Sequence, residues 1–156
     1  MISNRMKILA QNKRAYFNYE VLEKFEAGIS LLGQEVKSLK TYGVNLSGNY
    51  VVLKDEELFW VGANIPPYQP RNIGANYNSE RSRKLLLKKS EIKYLIGKSN
   101  QKGLTFIPLR IYTKNGKIKL EFAIAKGKKQ FDKRELIKKR EVEREIRRAL
   151  KGGDRL

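Results

Sequence analysis

Lys13 and Arg14 stand beside Tyr16 and Tyr19, and Lys37 and Lys40 lie three apart in a stretch with helical spacing. Cations next to aromatic rings are suited to holding phosphates while unstacked bases rest on the rings, although a solvated lysine is the ordinary alternative at each position. Glu26 and Glu35 run against this positive trend. A carboxylate can accept from base amino groups or a ribose 2′-hydroxyl, giving selectivity where lysine gives only attraction. The competing reading is a surface ion pair, or for Glu35 a charge at a helix N-terminus. Within Leu85-Leu86-Leu87 at least two side chains should be buried, and an outward third would offer an apolar rest for a base.

Covalent chemistry has little to work with. The 156 residues include no Cys and no His, which removes thiol nucleophiles, His bases, Ser-His triads and His or Cys metal sites. Neither a phosphate-binding Gly-rich loop nor a spaced Asp cluster for magnesium stands in their place, so we expect no catalytic residues, no metal and no cofactor. The charge says more: 34 Lys and Arg against 16 Asp and Glu leave a net +18. A phosphate backbone relieves such self-repulsion best, because each neutralised phosphate also releases counterions. An anionic membrane surface is the weaker candidate, since the cations are spread through strand-like and loop-like segments and not gathered beside one apolar helix. No apolar run reaches spanning or signal-peptide length, so a cytoplasmic protein is expected.

The elements that position these residues read as mainly β. Asn115-Gly116 marks a type I′ hairpin. A two-residue turn then pairs Thr113 with Ile118, Ile111 with Leu120, Leu109 with Phe122 and Ile107 with Ile124 on an apolar face, and Arg110 with Glu121 and Tyr112 with Lys119 on the other. Pro108 lacks a ladder donor, so its strand should be an edge or carry a bulge there. Residues 17–22, 26–32, 50–53 and 58–63 complete six short strands. Helices are expected over residues 34–42, stopped by Gly43, and over residues 90–97, capped by Ser90 and ended by Gly97. This pattern predicts a small OB-like antiparallel barrel over residues 1–125, with a long polar loop at residues 66–82 that is functional or mobile. From Lys126 the chain carries 13 basic and six acidic residues, net +7. Val142, Ile146 and Ala149 have helical spacing, but so polar a helix is marginal alone, so residues 126–156 are expected to be disordered until a partner makes them helical.

In order along the chain come Asn12-Lys13-Arg14-Ala15, Phe25-Glu26-Ala27-Gly28-Ile29, Gly33, Glu35-Val36-Lys37-Ser38-Leu39 and Val44-Asn45-Leu46 leading to Tyr50-Val51. Asn64-Ile65, Pro67-Tyr68, Arg81-Ser82-Arg83-Lys84-Leu85-Leu86-Leu87, Ala125-Lys126-Gly127-Lys128-Lys129 and Asp132-Lys133-Arg134 follow. As an ordered set these segments resemble the small protein B family of SsrA-binding proteins. The chain departs from that family at Phe17-Asn18, where His and an acidic residue are usual, and at Asn78-Ser79, where Asp-Pro is usual.

The resemblance implies an OB-like barrel that binds the tRNA-like part of transfer-messenger RNA and completes its missing lower half, so that the alanine-charged complex enters a stalled ribosome. It implies RNA-binding roles for Asn12, Lys13, Glu26, Gly33, Glu35, Val36, Lys37, Ser38 and Leu86. For the tail, with Lys126, Gly127, Lys128, Lys129, Asp132, Lys133 and Arg134, it implies ribosomal contact, the segment lying as a helix in the messenger channel and decoding centre against ribosomal RNA. Elongation factor Tu is the expected companion in delivery. A basic ribosomal structural protein and an RNA-processing enzyme are the alternatives from other classes.

Overall fold

The structure is a computed structural model that describes residues 6–69, 76–128, 140–142 and 144–148. Chain order is β1 (Lys7–Gln11), α1 (Ala15–Asn18), β2 (Tyr19–Ile29), α2 (Gly33–Tyr42), β3 (Tyr50–Lys54), β4 (Glu57–Val61), β5 (Arg83–Leu86), α3 (Lys89–Ser99), β6 (Leu104–Lys114) and β7 (Lys117–Gly127). The antiparallel strands follow the order β1-β6-β3-β4-β5-β2-β7, and β6 also pairs with β7. That last pairing closes six strands into a ring and leaves β1 as an addition on β6, which agrees with the expected OB-like barrel.

The β6–β7 hairpin forms as its turn residues dictate. Asn115 and Gly116 have φ of 53° and 77°, the left-handed pair of a type I′ turn. A Cβ on Gly116 would meet nothing within 4 Å, so the backbone alone sets the cost of replacing it. Gly116→Ala should therefore lower stability by about 1 kcal/mol, readable as a small drop in melting temperature with RNA binding unchanged.

Register matches expectation through Thr113↔Ile118, Ile111↔Leu120, Tyr112↔Lys119 and Arg110↔Glu121, then slips by one residue at a bulge between Pro108 and Arg110. Beyond it Pro108 faces Phe122, Ile107 faces Ala123 and Phe106 faces Ile124, which corrects the pairs expected for Leu109 and Ile107. The bulge sends Ile107 and Leu109 to the outer face, where they pack with Ala123, Ala125 and Ala15 in a second apolar cluster. Short alanine side chains let α1 lie directly on the sheet there. Phe106, Phe122, Trp60, Leu39, Leu58 and Leu95 belong to the main core inside the ring.

Other boundaries move as well. Residues 17–22 and 26–32 are not two strands: Phe17 and Asn18 end α1, and one strand runs from Tyr19 to Ile29 with a bulge near Leu22. β1 and β5 bring the count to seven strands among the described residues. α3 begins at Lys89, with the Glu91 carboxylate accepting the Lys88 amide at 3.2 Å, and passes through Gly97 to Ser99, so Ser90 does not cap it and Gly97 does not end it. Gly43, by contrast, ends α2 with φ of 70° and an amide that bonds to the Leu39 carbonyl.

Candidate nucleic-acid interface

Alternation along β2, β7 and β6 determines what the barrel shows outside. Opposite the core-facing Phe25, Ala27 and Ile29, strand β2 presents Lys24, Glu26 and Gly28; β7 presents Lys117, Lys119 and Glu121; β6 presents Arg110, Tyr112 and Lys114. Five cations thus surround two carboxylates on one three-stranded face. Glu26 is fixed at its centre: the Tyr112 hydroxyl donates to it, and the Lys114 ammonium approaches at 3.4 Å. The Tyr112 bond is the main cause, with Lys114 adding to it, that holds the Glu26 carboxyl below the usual value. In return, burial and the Glu26 charge push the Tyr112 hydroxyl well above the ordinary tyrosine value.

A cleft opens at each end of this face. One, of about 340 Å³, is lined by Gly28, Ile29, Val36, Leu86, Lys117 and Ile118. Leu86 is 53% exposed while Leu85 is buried, so the outward leucine of the triplet is the one the family resemblance selects. It lies across Gly28, its register partner, where a Cβ would stand 3.3 Å from the Leu86 Cβ. The other cleft, of about 360 Å³, is polar and lies where the end of β1 and the start of α1 meet the outer face of β2, β7 and β6, with Asn12, Lys13, Tyr16, Lys24, Arg110 and Glu121 around it. Asn12 anchors this end. Its backbone amide donates to the Leu109 carbonyl at 2.7 Å and its side-chain Nδ2 to the Pro108 carbonyl at 3.0 Å. Both carbonyls belong to the bulge.

α2 brings further predicted residues to the first cleft's side of the molecule. Gly33 opens the helix and is exposed, Val36 is half-buried against the core, and Lys37 and Lys40 point to solvent. Ser38 is buried and donates to the Pro66 carbonyl at 2.7 Å. Glu35 is fully buried, which corrects the surface ion pair considered for it. Its Oε1 accepts the Leu32 amide at 2.8 Å, closing the first turn of the helix. Arg83 reaches its Oε2 at 2.7 Å and Arg81 grips both oxygens. Burial opposes the Glu35 charge, yet Arg81, the Leu32 amide and Arg83 overcome it and lower its pKa. Arg83 also donates to the Ala63 and Ser79 carbonyls, each at 2.9 Å.

Glu35 with two guanidinium groups therefore ties α2 to β5 and to residues 76–81 of the long loop. The loop's described flank is pinned there. Asn78, one of the family departures, closes a local turn by accepting the Glu80 amide at 2.9 Å, a bond the usual aspartate would equally make.

Three predicted tail residues are described. Lys126 and Gly127 end β7, and Lys128 is fastened to α1 by its amide on the Asn18 carbonyl at 3.0 Å and its ammonium on the Tyr16 carbonyl at 2.9 Å. Lys129, Asp132, Lys133 and Arg134 lie outside the described residues. Residues 140–142 and 144–148 are helical and exposed, and the Arg140 guanidinium stands 5.8 Å above the Phe17 ring.

Sequence reasoning missed Lys24, Lys114, Lys117 and the polar cleft at the end of β1. The cross-strand pairing of Arg110 with Glu121 was the available signal, but placing Asn12 and Lys13 beside it needed β1.

The family model described as SmpB protein matches residues 9–152. An SsrA-binding protein of Thermosipho melanesiensis is 51% identical, covering 94% of this chain and 100% of that protein. One from Trichormus variabilis is 46% identical over 96% of each. A solved structure described as "tmRNA-SmpB: a journey to the center of the bacterial ribosome" is 44% identical, with a TM-score of 0.63 over 78% of this chain and 85% of that one.

Proposed function

This chain belongs to the SmpB protein family, and on that premise we propose that it binds the tRNA-like part of transfer-messenger RNA through the outer face of β2, β7 and β6 and delivers it to stalled ribosomes for trans-translation. The observation that carries this reading is the grouping on one face of five cations, a fixed carboxylate at Glu26 and a cleft at either end. Cations alone would hold any RNA; the oriented carboxylate and the clefts add the means to read bases and sugars. The protein acts by binding and positioning, without a covalent step, in the cytoplasm. Residues 126–156 form the part that contacts the ribosome. Among the described residues no helix is long and apolar enough to cross a membrane.

Glu35 and Ser38 serve binding indirectly, because their polar atoms are occupied inside the fold. Asn12, Lys13, Glu26, Lys37 and Leu86 are the members of the predicted set placed to touch RNA, with Gly33 and Val36 shaping the approach. Copurification with RNA sequencing tests the assignment: one abundant tRNA-like species is expected, and a mixture dominated by ribosomal RNA would overturn it. The phosphate contacts have their own signature. Lys117→Gln with Lys119→Gln should reduce the slope of log affinity against log salt by about 2, since each lost phosphate contact removes about one released counterion. An unchanged slope would place the phosphate track elsewhere.

A further inference from the structure

We infer that the polar cleft under the β1–α1 connection, on the outer face of β2, β7 and β6, receives a single unstacked nucleobase of the bound RNA, with Arg110 as its stacking platform and Tyr16 as a second planar wall. This rests on the RNA-binding role proposed above and adds a site to it.

Arg110 contributes little to attraction for phosphate. Its guanidinium is held in a two-pronged pair by Glu121, Nε to Oε1 at 3.1 Å and Nη2 to Oε2 at 3.3 Å. The pair is neutral, so it adds nothing to bulk attraction for a polyanion. What it does add is a rigid plane. One face of the guanidinium lies over the Tyr112 ring, with its centre 5.0 Å from the ring centroid, and Tyr112 is itself buried and bonded to Glu26. Held by Glu121 on its edge and Tyr112 on one face, the group loses little further freedom when a ligand stacks on it. Yet the side chain remains 29% exposed and lines the cleft.

The remaining lining suits a nucleotide. Tyr16 is half exposed, and the Lys24 ammonium stands 5.5 Å from its ring centroid. Lys13 and Lys24 are both exposed at the cleft, placed to meet the phosphates flanking a base. The Glu121 carboxylate and the Asn12 side-chain oxygen are acceptors for amino or imino hydrogens on a base edge. At about 360 Å³ the cleft is at the small end of ligand sites, fitting one base and not a stack. Bases splayed from a folded RNA are commonly held between aromatic rings and guanidinium planes.

The test uses the full chain, a transcript of the tRNA-like half of transfer-messenger RNA, and versions of it made abasic at one unpaired position each. With the wild-type protein, abasic substitution at one position should weaken binding about tenfold. Arg110→Lys keeps the charge but loses the plane. It should bind intact RNA about tenfold more weakly with an unchanged salt slope, and the sensitive abasic position should then cost nothing further. Tyr16→Leu, on an exposed side chain, should move affinity the same way and carries the test if Arg110→Lys melts early. Binding of intact RNA within twofold of wild type by both variants, or an abasic penalty undiminished in both, would overturn the inference and leave the RNA-binding role standing. A wild-type protein that does not prefer this transcript over shuffled RNA of equal length would overturn both.

Discussion

Glu35→Ala is expected to cost about 3–5 kcal/mol of folding stability, the range seen when one partner of a buried ion pair is removed. Both Glu35 and Arg83 have fully buried side chains, so the deletion strands a guanidinium in the core with no water to replace the carboxylate. Arg81 loses its partner as well, and α2 loses the bond that satisfies the Leu32 amide. Against a typical total of about 5–15 kcal/mol, such a loss is a large fraction. Denaturant titration measures it. Glu35→Leu combined with Arg83→Leu should cost clearly less than the sum of the two single changes, because the double variant leaves fewer unpaired charges. Strict additivity would mean that the pair is not coupled in the folded protein.

The same group makes stability depend on acidity, with a definite sign. Folding lowers the Glu35 pKa, chiefly against the opposing effect of burial, through Arg81, the Leu32 amide and Arg83. A group depressed on folding stabilises fully above its unfolded value and loses that contribution as pH falls through the folded value. Stability should therefore hold at neutral pH and decline below roughly pH 4.3, the ordinary glutamate value. Glu35→Gln should be less stable at pH 7 and show a shallower decline on acidification. A decline as steep as that of wild type would assign the acid sensitivity to other carboxylates.

Local turns and long-range pairings differ in how far the sequence reveals them. The Asn115-Gly116 hairpin was readable because a two-residue turn fixes register locally, and it placed Arg110 opposite Glu121 and Tyr112 opposite Lys119. Legibility stopped at Leu109, where the bulge moves every later side chain to the other face. The presence of Pro108 forecast a bulge or an edge, but nothing nearby determined by how many residues the register would shift. β5 was hidden for a different reason. Its inward positions are Arg83 and Leu85, and a buried arginine inverts the expected alternation of apolar inside and polar outside. Only its partner makes that burial tolerable, and Glu35 lies 48 positions away. Likewise β1 is short and half-exposed, so no apolar stripe announced it, and the cleft that its end helps to line was invisible without it. A turn whose geometry two adjacent residues determine can be read locally, whereas the burial of Arg83 and the placing of β1 depend on partners that arrive from distant strands.

Removing residues 129–156 should leave RNA affinity within a few-fold of wild type while reducing peptide tagging on stalled ribosomes by at least 100-fold. The first half follows from the fold. The strands of the proposed RNA face end at Gly127, and Lys128, which fastens the chain to α1 beside Asn12 and Lys13, is retained. The deleted segment carries 11 basic and six acidic residues, a net +5 out of +18. Its loss weakens long-range attraction and leaves in place every residue named as lining the two clefts, and 0.15 M salt screens charges more than about 8 Å away. The second half follows from what the tail presents. Val142 and Ile146, four apart on the described helical stretch, are 53% and 55% exposed. They form an apolar edge with arginines around it, which suits a helix that gains its packing from a partner and not from the barrel. Asp132→Ala with Lys133→Ala tests the segment without shortening it and should reproduce the split, with gel-shift affinity held and tagging lost. Affinity falling in parallel with tagging would make the tail part of the RNA grip, and unchanged tagging would remove its ribosomal role altogether.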